Sequence, residues 1–227
     1  MRKKCIKIIK EQLIPIIFIF VSVITGIVTN EIGLGIIIAA SGLLNAWYAS
    51  LGKSYNYIFG AIYCMFSAYV TYTNGLYGMT LFTIFVYFPS QILGWISWNK
   101  QKNKDSEVKI RRFNLLVSLI VTFSCIIGSF GLGLILSKIP GQQLAFLDAS
   151  SNIITVSGII LMYLRYRECW WVWLTSYSID VAIWTLNVIN HNANSKMMLF
   201  VSIGYLLINV YGLIMWGKFS EKNKRRL

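Results

Sequence analysis

Charge is scarce in this chain. Only 13% of its 227 residues are Asp, Glu, Lys or Arg, whereas 56% are hydrophobic, and the mean hydropathy is +0.63. A soluble domain carries about 25% charged residues, so a soluble globular enzyme is excluded at the outset. Histidine occurs once, which leaves no material for a His-rich metal or catalytic cluster. Cys5, Cys64, Cys125 and Cys169 lie far apart, without the spacing of a metal site or a disulfide framework, and read as packing thiols. A nucleotide-binding loop, a Gly-x-Ser-x-Gly elbow, a paired-carboxylate site and a low-complexity tract are all missing. Neither cofactor nor metal is expected.

Long apolar segments are what the chain does have. About 20 apolar residues cross a bilayer as a helix, and a helix satisfies the backbone hydrogen bonds that lipid cannot. Eight spans are expected: 13–29, 32–50, 55–73, 79–98, 113–136, 149–164, 170–189 and 197–216. The break between the first two, at Asn30–Glu31, is the narrowest, and Pro15 and Gly26 distort the first. Short loops collect positive charge on the cytoplasmic side. With a cytoplasmic N-terminus and eight spans, 19 of the 21 basic residues fall inside, and only Lys138 and Lys196 fall outside. The net charge of +13 is therefore a topological signal and not a nucleic-acid footprint, since no basic stripe with interleaved aromatics occupies a soluble segment. The charged start followed by an apolar run resembles a signal peptide. No convincing cleavage site follows, so it is read as an anchor.

The phrase Tyr-x3-Gln-x2-Gly-x3-Trp at Tyr87, Gln91, Gly94 and Trp98 recurs 118 residues later as Tyr205, Asn209, Gly212 and Trp216. Met79/Met197, Leu81/Leu199, Phe82/Phe200 and Lys100/Lys218 extend the match. Ser41-Gly42-Leu43-Leu44 likewise matches Ser157-Gly158-Ile159-Ile160. Spans two to four thus correspond to spans six to eight. Two odd-numbered units in one orientation require an inverting helix between them, and span five supplies it. The expected fold is all-α and integral to the membrane, with eight transmembrane helices in a 3+1+3 parallel repeat after an extra N-terminal helix. It forms a single domain: 1–30 is the extra helix, 32–98 the first repeat, 113–136 the inversion helix, 149–216 the second repeat and 217–227 a cytoplasmic tail. Parallel repeats of this kind belong to transporters such as the SWEETs, which hold substrate at the repeat interface.

In span seven, Trp170, Trp173, Tyr177, Asp180, Trp184 and Asn187 recur every three or four residues and so share one helical face. Asp180 is the only acid expected inside a span. A mid-span carboxylate costs about 2.5–3.5 kcal/mol on insertion scales, so it should face the bundle or a wet cavity. The face reads as a cage in which indoles stack on a flat ring and Asp180 balances or hydrogen-bonds the ligand; ordinary packing is the plainer alternative. Gln91 and Asn209 are expected to meet near the pseudo-twofold axis, with Tyr87 and Tyr205 one turn away. Trp98 and Trp216, beside lysines, read as interface anchors, and His191 as a solvated loop residue.

Three segments resemble the PnuC family of vitamin-uptake transporters across roughly residues 32–218. They are Gly52-Lys53-Ser-Tyr-Asn56-Tyr-Ile-Phe-Gly60, Gln91-Ile-Leu-Gly94-Trp95-Ile-Ser-Trp98 and Glu168-Cys-Trp170-Trp-Val-Trp173. The resemblance implies a homotrimer in the bacterial inner membrane that takes up nicotinamide riboside by facilitated diffusion. A cytoplasmic kinase would trap the solute for NAD biosynthesis. The family's cage would map onto Trp170, Trp173 and Gln91, and its usual polar residue one turn on falls at Ser176 or Tyr177; Asn56 joins the expected contacts. Because this chain carries Ser-Tyr there and its acid at Asp180, thiamine, riboflavin and deoxynucleosides stay open as substrates. A ligand-sensing membrane receptor is the alternative of another class, although both tails are short for an output domain.

Overall fold

The computed structural model describes residues 12–51, 53–101, 112–164 and 166–224, and its elements are all helices. They are α1 (Ile14–Thr29), α2 (Leu34–Ser50), α3 (Asn56–Thr73), α4 (Tyr77–Phe82), a π turn (Thr83–Tyr87), α5 (Phe88–Gln101), α6 (Leu115–Leu136), α7 (Ala145–Tyr163), α8 (Cys169–Ile189) and α9 (Ser195–Lys224). Among the described residues, five helical stretches are long and apolar enough to cross a membrane: Tyr77–Ile96, Leu115–Leu136, Ala145–Met162, Cys169–Ile189 and Ser195–Ile214. The apolar helices α1 and α2 are shorter.

The narrow break between the first two helices is present, and local chemistry explains it. Asn30 adopts left-handed φ of 60°, and the amides of Asn30 and Glu31 turn back to the Ile27 and Gly26 carbonyls. That pairing is the Schellman closure, which satisfies the last carbonyls of a helix and reverses its direction. At the other end of the bundle, Asn114 accepts from the Val117 amide and so starts α6.

Packing closes a ring from α2, α3, the run from α4 to α5, α7, α8 and α9. α2 packs on α3, α3 on α4 and α5, α4 on α7, α7 on α8, α8 on α9, and α9 returns to α2. α1 attaches outside α2 and α9, and α6 outside α7. The outer side of α6 is apolar along its length, with Leu116, Phe123, Ile127 and Phe130 exposed, as befits lipid contact.

Two carboxylates tie the ring at the end that holds His191 and Lys138. Glu31, just before α2, accepts from the amides of Lys196 (3.3 Å) and Met197 (2.7 Å) at the start of α9. Asp148, in the first turn of α7, accepts from the amides of Gly78 (2.9 Å) and Met79 (2.7 Å) at the start of α4. Helix starts leave unpaired N–H groups and a partial positive charge, which an acid satisfies.

Asp148 corrects the expectation that Asp180 is the only acid inside a span. The sixth span begins at Ala145 rather than 149, so Asp148 is carried into the helix and is fully buried. Its charge is tolerated there because Gln142 and Asn152 donate to it as well.

Candidate functional site

The middle of the ring is lined from α3, the π turn, α7, α8 and α9. On α8, Ser176 is fully buried and Asp180 half-buried. The Ser151 hydroxyl of α7 donates to the Asp180 carboxylate. The Ser176 hydroxyl donates to the Ser151 carbonyl at 3.0 Å and lies 2.6 Å from the Thr155 hydroxyl. Four tyrosines from four segments, Tyr63, Tyr87, Tyr177 and Tyr205, sit within electrostatic reach of Asp180. Three of their rings pack on one another: Tyr177 and Tyr205 lie 5.1 Å apart and tilted, and Tyr63 meets Tyr205 edge-on at 5.8 Å. Tyr87 donates its hydroxyl to Asn152 Oδ1 at 2.8 Å.

Toward the end that carries Arg167 stand the tryptophans. Trp170 and Trp173 meet edge to face at 5.5 Å. Both rest on glycines: a Cβ at Gly212 would overlap the Trp170 ring, and one at Gly158 the Trp173 indole. Trp170 is only 3% exposed and is packed, while Trp173 stays half-buried. Asn209 donates to the Trp170 carbonyl at 2.8 Å, and its own side-chain oxygen is buried without a partner. A buried acceptor without a donor is costly, about 1–3 kcal/mol.

Of the expected site residues, Trp170, Trp173, Ser176, Tyr177, Asp180, Tyr205 and Asn209 therefore lie together on the α8–α9 pair, and Tyr87 faces them through α7. Gln91 and Asn56 lie elsewhere. Gln91 donates to the Tyr87 carbonyl, and its oxygen lies against Gly60 beside the Asn45 amide. Asn45 in turn donates to the Asn56 carbonyl at 3.0 Å. Asn56 is buried, with its side-chain oxygen unpartnered. These form a second polar patch on α2, α3 and α5. Gln91 and Asn209 thus point to different partners, and no hydrogen bond joins them among the described residues. His191 is exposed after α8, as expected. The side chains of Trp98 and Trp216 lie outside the described residues.

Sequence reasoning missed Tyr63 and the α7 contribution. Asp148, Ser151, Asn152 and Thr155 recur at intervals of three and four, and that polar stripe was legible as one helical face.

A ring of apolar helices closed around a half-buried acid and an aromatic wall defines a multi-pass membrane protein that handles a small solute. The chain belongs to the family described as nicotinamide mononucleotide transporter, matched over residues 32–218. It is 27% identical over 213 residues to the nicotinamide riboside transporter PnuC of Neisseria mucosa, covering 92% of this chain and 81% of that one. With the protein of the same name from Haemophilus influenzae it is 28% identical over 209 residues, covering 91% and 88%. A solved structure, the crystal structure of the vitamin B3 transporter PnuC, matches with a TM-score of 0.77 at 27% identity, covering 92% of this chain and 90% of that one.

Proposed function

We propose that this protein carries nicotinamide riboside across the membrane by facilitated diffusion. The observation that bears most weight is the half-buried Asp180 carboxylate, held by Ser151 and one turn along α8 from Tyr177, whose ring packs on Tyr205 and through it on Tyr63. A ring with a fixed positive charge is favoured by an acid and by aromatic faces alike. The family description mentions the mononucleotide, while the relatives' names mention the riboside. The chemistry favours the riboside: among the described residues this cluster holds an acid and no lysine or arginine, and a phosphate dianion beside Asp180 would be repelled. Thiamine shares the cationic ring and is the second reading; riboflavin and deoxynucleosides, being neutral, gain less from Asp180.

The same reading places the chain as one domain of eight spans in a 3+1+3 arrangement, assembled as a homotrimer in the bacterial inner membrane with both termini cytoplasmic. The paired acid caps support the repeat. Glu31 stands before the first helix of one unit and Asp148 in the first turn of the corresponding helix of the other, and each holds the third helix of the opposite unit at the matched positions Met197 and Met79. A cytoplasmic kinase would trap the delivered riboside by adding a phosphate that this site disfavours.

The test is binding and liposome uptake with a panel of nicotinamide riboside, nicotinamide mononucleotide, thiamine, riboflavin and a deoxynucleoside. Saturable uptake of the riboside with exclusion of the mononucleotide is expected. Preference for the mononucleotide, or binding without any uptake, would overturn the assignment, and the latter would favour a receptor.

A further inference from the structure

Three hydrogen bonds run in series from the aromatic wall to the closed end of the ring. Tyr87 donates to Asn152 Oδ1 at 2.8 Å, Asn152 Nδ2 donates to Asp148 Oδ1 at 2.7 Å, and the same oxygen accepts from the Met79 amide at 2.7 Å. The second Asp148 oxygen accepts from the Gly78 amide and from Gln142, whose own oxygen takes the Tyr77 amide. Tyr77, Gly78 and Met79 form the start of α4, the segment that closes the ring against α7.

Asn152 is 1% exposed, and its amide can point only one way: the oxygen needs the Tyr87 proton and the nitrogen needs Asp148. We propose that Asn152 is a positioning residue that couples the Tyr87 hydroxyl to the Asp148 latch, so that a solute engaging this hydroxyl weakens closure of the α4–α7 end. The proposal rests on the reading of the central cluster as a solute site. A solute acceptor that takes the Tyr87 proton leaves Asn152 Oδ1 without its donor. Asn152 Nδ2 still has its two acceptors on Asp148, the carboxylate and the backbone carbonyl (2.7 Å each). The buried oxygen left without a donor is costly, and a shift of the amide toward another donor takes from the latch one of its four side-chain and backbone donors. Because the solute then interacts differently with the latched and unlatched states, its binding shifts the balance between them.

The α9 start offers an internal contrast. Glu31 holds it directly, and among the described residues its carboxylate accepts only from the Lys196 and Met197 amides. On this reading the two latches differ: the α4 latch responds to the solute and the α9 latch is fixed.

The experiment uses the full chain with Cys5, Cys64, Cys125 and Cys169 replaced and a reporter Leu147→Cys, which is half-buried on α7 against the core of the closed end. A membrane-impermeant thiol reagent is applied with and without nicotinamide riboside, and affinity is measured in parallel by calorimetry. Asn152→Leu keeps the side-chain shape, and Tyr87→Phe removes a single oxygen, so folding of at least the second variant is secure. Both variants should label faster without solute, roughly fivefold, the weight of one net hydrogen bond. Saturating riboside should accelerate labelling of the parent and leave Tyr87→Phe unchanged even where it still binds. Parent-like labelling of both variants, with and without bound riboside, would reduce Asn152 to packing and overturn the proposal. A parent that binds no riboside while the variants still label faster would sustain the link from Tyr87 to the latch and defeat the solute assignment instead.

Discussion

At the scale of single residues, Asp180 and Trp173 make separable contributions. If the solute is cationic, Asp180→Asn removes a charge attraction in a site of low dielectric and should weaken binding by more than about tenfold. For a neutral solute the same change should be mild, since Asn retains an acceptor. Trp173→Ala should reduce affinity in either case, because ring stacking does not depend on charge. Titration of each variant with nicotinamide riboside and riboflavin separates these outcomes, and riboside binding that survives both changes would remove α8 from the site. Gly212 is a second sensitive position. A methyl group there meets the face of Trp170, so Gly212→Ala should lower stability by about 1–3 kcal/mol through overpacking, read as a drop in thermal midpoint in detergent. The Trp-rich stripe and Asp180 were legible in the sequence because a carboxylate on an aromatic helical face is too costly in lipid to sit there without a polar role. Asn209 was found for a related reason, but its bond to the Trp170 carbonyl, in place of a meeting with Gln91, depends on how α8 and α9 pack, which no spacing rule contains.

Among the elements, the helical run from Tyr77 to Gln101 is the irregular one. Pro89 has no amide to donate, and its ring would strike the Phe85 carbonyl of a regular helix. The chain responds with the π turn Thr83–Tyr87, closed by the Phe88 amide on the Thr83 carbonyl. Such turns often accompany functional sites, and this one carries Tyr87. Above it α4 packs on α7; below it α5 packs on α3. The matching stretch of α9, with Leu207 in place of Pro89, is unbroken helix. Pro89→Leu should therefore regularise the run and hold α5 nearer the α4 axis. Solute affinity should stay within a few fold while the rate of exchange across liposomes falls, and an unchanged exchange rate would show that the bend is only architectural. The element pattern was largely readable, since apolar length and loop charge are one-dimensional signals. The start of α7 was not. Asp148 looks like a loop residue until the start of α4 is brought beside it, and that contact spans a wide sequence separation.

For the whole molecule, the question is whether anything besides the solute gradient moves the solute. Among the described residues two acids lie inside the membrane-crossing stretches of the helices that line the ring, and they differ in how tightly they are held. Asp148 is occupied by Gly78, Met79, Gln142 and Asn152 and is fixed as a structural anion. Asp180 has one donor, Ser151, and is half-buried, so of the two it is the one placed to exchange partners with a solute. A proton-coupled carrier needs an acid that loses and regains its proton as access alternates. A solute cation that takes the Asp180 charge for itself leaves no site for a proton travelling in the same direction. Uptake by purified protein in kinase-free liposomes should accordingly run to equal concentrations and stop, with or without an imposed proton or sodium gradient. A tenfold gradient of one coupled monovalent ion supplies about 1.4 kcal/mol, enough for tenfold accumulation, so coupling would be plain in the plateau. Nicotinamide riboside rising above its external concentration under such a gradient would overturn facilitated diffusion and point to Asp180 as the group to replace next. Addition of a riboside kinase and ATP to the lumen should raise total internal label while free riboside stays at the external level, which separates trapping from pumping in one measurement.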